Sequence, residues 1–526
     1  MSFKNKLLAK FPSKYISYKV KDENEAKEII NGYKAVRKNN LFDDDFYLEK
    51  YPKVKSSGMD PLLHYIFFGF SEGKKPNSEF DGVFYKNHYD DVGINPLLHY
   101  ALYGINDNRV IKPNGADLSE FNGFDKNILF ILHEKIGTVG GTGFLNLDII
   151  QHLPDEYSAF ILTSDGEDVE LWQYNGSLDK IANYPVSFNT DFSVIDNDDN
   201  IISKDNFNNI FFNKDLAIIY DEILSKLDIN LVHINHLINH SFDLINCVTQ
   251  KSIPFLVSLH DFYYLCPSIH LVDKDCKYCN FACESCGGIS KDKSLSNDEI
   301  LNKWRKLFKD MLSKSSYNIA PNQSVIESYK KIYSDLDNFK LIEHGVNIDK
   351  SSHRPALTSN PCRVLVPGHV SPHKGSLLIK QIKQLDKNNL LELHFMGTTI
   401  PNLNSFGVNH GRYERSDFNN IVSEIKPSFS LILSTCPETY SYTLTESWMA
   451  GIPVIASNLG ALEERISKSD AGWLVDYTNP EDIYNFIINI NQNDYQNKLS
   501  NISKIKFKDI NEMCENYIEL YNSLTD

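Results

Sequence analysis

The sequence predicts an α/β chain with two doubly wound, Rossmann-like domains and a small α-helical region ahead of them. Three observations carry that prediction. Short apolar runs alternate with amphipathic helical segments in two separate blocks, the pattern of parallel sheets with crossover helices. A polar stretch at 349–361, with Pro355 and Pro361, parts the blocks as a hinge. An aromatic-rich unit occurs twice before either block begins. At 526 residues the chain exceeds what one core supports, and 42% hydrophobic content with 12% aromatics is globular.

Residues 1–40 form a basic, helical N-terminal segment. Its first twenty residues carry Lys4, Lys6, Lys10, Lys14 and Lys19 and no acid, interleaved with Phe3, Leu7, Leu8 and Phe11. That composition fits either a peripheral membrane contact through residues 1–20 or a solvated, frayed terminus in which Pro12 limits any helix. Residues 41–113 hold the repeat. Phe42, Phe46, Tyr47, Tyr51 and Asp60-Pro61-Leu62-Leu63-His64-Tyr65 are echoed by Phe80, Phe84, Tyr85, Tyr89 and Asn95-Pro96-Leu97-Leu98-His99-Tyr100. Asp60 and Asn95 are good N-caps, with proline at the favoured first helical position. Each copy reads as a small helix pair with a joint aromatic core. Two copies fall short of a free-standing solenoid, so they are expected to lean on a neighbouring domain or a protein partner. His64 and His99 read as packed helix residues.

A linker rich in Asn, Asp and Gly follows at 106–125. The first α/β domain spans 126–349, with strands expected at 128–132, 158–162, 231–235, 255–259 and 317–320. Helices are expected at 144–153, 242–251 and 298–313. The Asn/Asp-rich stretch 176–213 reads as insertion or loop. The second domain spans 362–505, with strands at 363–367, 391–396, 429–434, 453–456 and 472–475. A last helix within 506–526 is expected to pack back toward the first domain.

A formal net charge of -16 argues against nucleic acid as a partner. No apolar run is long enough to span a bilayer, and the lysine-bearing start lacks a signal-peptide hydrophobic region. A cytoplasmic chain is expected, at the inner face of the membrane if residues 1–20 bind lipid.

The most informative segment is Cys436-Pro437-Glu438-Thr439-Tyr440-Ser441-Tyr442-Thr443-Leu444-Thr445-Glu446, leading into Ala450-Gly451-Ile452-Pro453. It lies between an apolar strand and a short helix, where open α/β sheets bind ligands and a helix N-terminus favours phosphate. The spacing of Glu438 and Glu446 before Ala-Gly-x-Pro resembles the signature of retaining family-4 glycosyltransferases, also called glycosyl transferases group 1. The resemblance implies the GT-B architecture of two facing Rossmann-like domains and a nucleotide-diphosphate sugar as donor substrate, with no catalytic metal. It implies that Glu446 grips the nucleotide ribose, while Glu438 and the backbone amides of Thr439, Tyr440 and Ser441 engage the donor sugar. A carboxylate suits vicinal hydroxyls because it accepts two hydrogen bonds at once.

Val366-Pro367-Gly368-His369-Val370-Ser371-Pro372-His373-Lys374-Gly375 follows a strand and opens a helix, with Lys374 at its first turn. The resemblance places Gly368, His369 and Lys374 at the diphosphate; the family carries Arg where this chain has His369, and neutral imidazole does not replace a bidentate cation. In the first domain, Gly137 to Gly143 lets backbone N–H groups approach a ligand. The double glycine Gly140-Gly141 matches one beside the donor phosphate and acceptor in the family, and His260, before Asp261, resembles its active-site histidine. Glu343-His344-Gly345-Val346 resembles its Asn-Gly-Val turn, with His344 in place of Asn.

Five of nine cysteines fall between 266 and 286. The run Cys276-x2-Cys279-x3-Cys283-x2-Cys286 has spacings at which thiolates converge on Zn²⁺. A similar pattern in some family-4 enzymes matches Cys266, Cys279, Cys283 and Cys286, with Cys276 as an alternative ligand. A structural zinc beside the cleft is expected; free or redox-active thiols are the other reading.

The leading function is therefore a retaining glycosyltransferase that moves a sugar onto a glycan or lipid-linked acceptor in bacterial surface polysaccharide synthesis. The alternative is a non-catalytic scaffold of the same fold, favoured by His369 and His344. A nicotinamide oxidoreductase is disfavoured because neither block has the full glycine fingerprint.

Overall fold

The computed structural model describes residues 11–57, 59–77, 79–89, 91–107, 109, 111, 118–121, 125–133, 141–190, 210–273, 277–283, 297–347, 355–358 and 361–525. Residues 1–10, Gly140, Cys276, Cys286, most of the 349–361 hinge and parts of the 106–125 linker lie outside the described residues. The chain divides into two compact units. One holds Met1–Asp117 with Ala182–Pro185 and Lys214–Ile223; the other holds Leu118–Ile181, Val186–Asn213 and Leu224–Asp526.

The first unit is built around the repeat. In both copies the tyrosine of the first helix reaches the histidine of the later one: Tyr47 Oη to His64 Nδ1 at 3.0 Å, and Tyr85 Oη to His99 Nδ1 at 3.1 Å. A Cβ at Gly69 would stand 2.1 Å from the Tyr47 hydroxyl and one at Gly104 2.3 Å from that of Tyr85, so each repeat needs its glycine. Asp60 and Asn95 cap the short helices Pro61–His64 and Pro96–His99, and both helices run on into a wide turn closed by an i→i+5 bond. The first copy carries an extra short helix, Pro52–Ser57, in the middle segment where the second copy is shorter.

One expectation changes here. Pro12 does not limit a helix but starts one, Pro12–Lys19, because proline's missing N–H costs nothing at the first helical position. The repeats also gain their third layer from the chain itself. Tyr15, Ile16, Ala26, Ile29 and Val36, from Pro12–Lys19 and Glu23–Lys38, join Tyr47, Leu62, Tyr65, Tyr85, Leu97 and Leu98 in one core. Phe11 and Tyr18 remain exposed.

Two sheets follow, both in the other unit except for Ala182–Tyr184 at the end of the fourth strand. The first comprises β1 (Lys126–Leu132), β2 (Tyr157–Ser164), β3 (Val169–Tyr174), β4 (Leu178–Tyr184), β5 (Leu231–Ile234), β6 (Phe255–Ser258), β7 (Tyr317–Ala320) and β8 (Phe339–Leu341). Their order is β4-β3-β2-β1-β5-β6-β7-β8; β2 and β3 are antiparallel, while β2-β1-β5-β6-β7-β8 run parallel. The second sheet comprises β9 (Cys362–Val370), β10 (Leu391–Thr399), β11 (Val408–Asn409), β12 (Phe429–Ile432), β13 (Val454–Ser457) and β14 (Gly472–Val475), in the parallel order β11-β10-β9-β12-β13-β14. The two doubly wound α/β sheets and the N-terminal helical region match the predicted fold class. Strand order reverses between β1 and β5 and between β9 and β12, and at such points the carboxyl ends open a crevice.

The stretch 176–213 is not all loop. Leu178–Tyr184 is β4, and Asn175-Gly176 turns the chain back from β3, with Gly176 at φ 83°. Asn-Gly is a strong hairpin signal. The last helix, Ile510–Thr525, packs on the first sheet: Met513, Cys514, Tyr517 and Tyr521 share a core with Ile128, Phe130, Leu145 and Ile149. Each large apolar side chain buried this way contributes roughly 1.5–3 kcal/mol relative to exposure.

Candidate active site

The carboxyl ends of the inner strands of both sheets border one cavity of about 350 Å³, within the size range of small-molecule sites. From the segments that follow β1, β6 and β8 come Gly141, His260 and His344. From β9 and the segments that follow β9 and β12 come Gly368, His369, Lys374, Glu438, Thr439, Tyr440 and Ser441. Helices Gly141–Gln151 and Tyr442–Met449 begin at this cavity, so their N-terminal N–H groups and dipoles favour an anion there.

Gly368 lies two residues before the end of β9, at φ 94°, where a Cβ would crowd Thr443. Lys374 stands in the single turn Pro372–Lys374, just before helix Ser376–Leu385. Gly375 must follow it: φ is 84° and a Cβ would sit 2.0 Å from the Leu433 carbonyl oxygen. The turn thus seats directly on the end of β12. Lys374 Nζ lies 2.6 Å from Glu438 Oε1, and the Ser434 hydroxyl donates to the same oxygen. Burial by itself would lower the Lys374 ammonium, but the Glu438 carboxylate outweighs it and raises it. Burial would likewise raise Glu438, and Lys374 pulls it below its ordinary value. Both groups therefore stay charged at neutral pH. His369 is exposed, with Nδ1 bonded to the Thr398 hydroxyl.

The loop after Glu438 is tied to the first sheet. Thr439 Oγ1 donates to the His260 carbonyl at 2.7 Å, Tyr440 Oη to the His344 carbonyl at 2.9 Å, and Asn322 Nδ2 to the Thr439 carbonyl. Arg465, which sequence reasoning missed, donates to the carbonyls of Tyr440 at 2.8 Å and Ser441 at 3.2 Å and lies over the Tyr440 ring. Ser441 is thereby held at φ 67°, a left-handed conformation of the kind that collects at functional sites.

His260 Nε2 donates to Asn235 Oδ1 at 2.9 Å, and burial pushes its pKa down to about 4. The ring is neutral near pH 7 and keeps Nδ1 as an acceptor. Behind it, Ile238 N–H donates to His236 Nδ1 at 3.0 Å, so His236 Nε2 carries the proton it gives to Asp261 Oδ2 at 2.9 Å. Burial would raise the Asp261 carboxyl, yet His236 and the Tyr263 N–H bring it down to about 2. His344 is buried against Tyr440 and Tyr442, and burial holds it well below its ordinary value.

Of the described catalytic and donor-site candidates, Glu446 is the one that does not line this cavity. It lines an adjoining one of about 300 Å³, with Tyr442 bordering both. There Tyr413 Oη donates to Glu446 Oε2 at 3.0 Å and Arg415 Nε lies 3.5 Å from Oε1. Burial raises the Glu446 carboxyl despite Arg415. Arg415 also spans the rings of Tyr442 and Phe144. Nothing in its local sequence marks Arg415, since its partners come from distant segments.

Cys266, Cys279 and Cys283 are described. Burial pushes the Cys266 thiol up to about 12, and Cys279 and Cys283 add to the rise. Arg305 Nη2 donates to Cys283 Sγ at 3.3 Å. Among the described residues, no three His, Cys, Asp or Glu side chains are placed to hold a metal ion. Of the expected zinc ligands, Cys286 and the alternative Cys276 lie outside the described residues. No helix among the described residues is long and apolar enough to cross a membrane.

Residues 361–493 match the family described as Glycosyl transferases group 1. A curated relative, the putative colanic acid biosynthesis glycosyl transferase WcaC of Escherichia coli K12, is 23% identical over 231 residues, 42% of this chain. The chain spans 56% of that relative's length. Sucrose-phosphate synthase from Thermosynechococcus elongatus shares the fold at a TM-score of 0.51 and 15% identity, covering 76% of this chain and 99% of its own.

Proposed function

We propose that the chain is a retaining, family-4 glycosyltransferase that takes a sugar from a nucleotide diphosphate and gives it to a glycan or lipid-linked acceptor. The observation that carries this reading is the Lys374–Glu438 pair at a cavity where two helix N-termini converge. A departing diphosphate needs fixed positive groups aimed at the charge it develops. The Lys374 ammonium has three donors, so it can hold Glu438 and a phosphate oxygen together. The N–H groups at Gly141 and at the start of Tyr442–Met449 add to it. Glu438 and the amides of Thr439, Tyr440 and Ser441 take the sugar hydroxyls, and neutral His260 accepts one more through Nδ1. Glu446, in the adjoining cavity, takes the ribose hydroxyls once Arg415 yields. The sugar–phosphate C–O bond breaks as the acceptor oxygen bonds the same carbon from the same face. The acceptor proton passes to the leaving phosphate oxygen, so no protein nucleophile is needed.

The name of the Escherichia coli relative supports bacterial surface polysaccharide as the product class. Cys266, Cys279, Cys283 and Cys286 are proposed to hold a structural zinc beside this site; less than about half an equivalent in protein purified without chelator contradicts that. Membrane contact through the basic N-terminus remains a proposal tested by liposome binding with and without residues 1–20.

The scaffold reading draws on His369, exposed where the family carries arginine, and on His344, buried where the family carries asparagine. One assay separates the two: incubation with a panel of nucleotide sugars, followed by NMR of the released sugar. Turnover with the donor's anomeric configuration kept supports transfer. Absence of turnover across the panel supports the scaffold.

A further inference from the structure

The loop at 437–439 has a second face. Glu438 and Thr439 line the cavity described above, whereas Pro437 lines a larger open groove of about 810 Å³. The two share a wall: the Glu438 carbonyl accepts from Ala461 N–H at 2.8 Å, and Asn322 closes the gap by donating to the Thr439 carbonyl. The groove draws on both sheets. Helix Gln323–Ile332 and the cysteine-rich stretch present Gln323, Glu327 and Tyr278; helix Gly460–Ser469 and its flanks present Asn458, Glu463 and Tyr477.

This side-chain set has a definite chemistry. A sugar ring offers apolar C–H faces and a rim of hydroxyls that both donate and accept. Tyrosine rings cover the first, and planar amides and carboxylates pair with the second. An open, hydrated groove suits a chain of such rings, where water bridges the remaining hydroxyls. Four carboxylates line it (Glu327, Glu463, Glu464, Asp476) against the two ammonium groups of Lys331 and Lys468. Glu464 is already committed, to Ser324 N–H at 2.7 Å and to Lys468. The surplus of negative charge disfavours a glycan rich in uronic acid.

We infer that this groove binds the non-reacting sugar units of a neutral, hydroxyl-rich glycan acceptor, with Tyr278 and Tyr477 as stacking platforms. The inference rests on the transfer reading above for the word acceptor, but its test does not. Full-length protein is titrated calorimetrically with cellohexaose, maltohexaose and chitohexaose, with glucose as the short probe and hexagalacturonate as the acidic one. At least one neutral hexaose is expected to bind, with glucose and hexagalacturonate at least about tenfold weaker. Tyr477→Ala is expected to weaken the hexaose about tenfold. Glu463→Gln, an exposed change that spares the fold, gives a smaller but measurable loss. No binding of any neutral hexaose, equal binding by both variants, or preference for hexagalacturonate overturns the inference. A lipid-tailed hexaose in micelles is the source control: affinity equal to the free sugar supports the groove, and binding of the tailed form alone overturns it. Donor turnover is followed on the same preparations. Its failure with hexaose binding intact sinks the transfer reading and leaves the groove standing.

Discussion

Lys374 and Glu438 hold each other at the switch point of the second sheet, Nζ to Oε1 at 2.6 Å, on two loops 64 residues apart. The pair is partly shielded, with 35% of the Lys374 side chain and 12% of Glu438 exposed, so its Coulomb attraction is only partly screened. Removing either partner leaves the other charge poorly paired. Lys374→Met and Glu438→Gln are each expected to cost about 1–2 kcal/mol in urea denaturation. The double variant loses less than the sum of the two. Strict additivity would show that the pair does not couple.

Asp261 gives a pH signature. Its carboxyl titrates at about 2 in the fold against an ordinary value near 3.9. A depressed carboxylate contributes stability above the unfolded value and loses it as pH falls through the folded one. The contribution is on the order of 2 kcal/mol. The stability gap between the parent and Asp261→Asn is therefore expected to be full at pH 6 and to close between about pH 4 and 2. A gap unchanged across that range contradicts the His236–Asp261 assignment.

Gly375 and Gly411 separate two causes of glycine dependence. Both have positive φ, 84° and 75°. A Cβ at Gly375 meets the Leu433 carbonyl at 2.0 Å, whereas one at Gly411 meets nothing within 4 Å. Gly411→Ala is expected to cost about 1 kcal/mol from backbone strain alone. Gly375→Ala should cost at least about 3 kcal/mol, since backbone must move. Thermal melts of the two variants rank them directly, and equal losses would contradict the seating of the lysine turn on β12.

The helical repeats make a symmetry test. Tyr47→Phe and Tyr85→Phe each delete one hydrogen bond to an equivalent histidine, at an expected cost of about 1–2 kcal/mol. Similar losses follow if the two copies are built alike; a loss in only one would contradict that equivalence.

Much of this was legible in the residues. Apolar runs placed most inner strands of both sheets, because strands buried on both faces read as continuous hydrophobic segments. Glu438, Lys374 and His260 were visible because each follows such a strand within a few residues, and strand ends are where the crevice opens. The Val169–Tyr184 hairpin escaped because no strand was expected at 169–174 and the Asn/Asp-rich stretch from 176 reads as loop, although Asn175-Gly176 was a signal available to find it. Arg415, Tyr413 and Arg465 had no local signal, as their roles arise only when the chain folds back on helix Tyr442–Met449. The same folding puts Glu446 on the far side of Tyr442 from Glu438, which sequence spacing does not encode.

The central claim is that the cavity around Lys374 and Glu438 receives a nucleotide diphosphate. Calorimetric titration of full-length protein with UDP, GDP, ADP and dTDP tests it most directly. One of them is expected to bind, and Lys374→Ala to weaken that binding at least about tenfold. Binding of none, or equal binding by the variant, would contradict it.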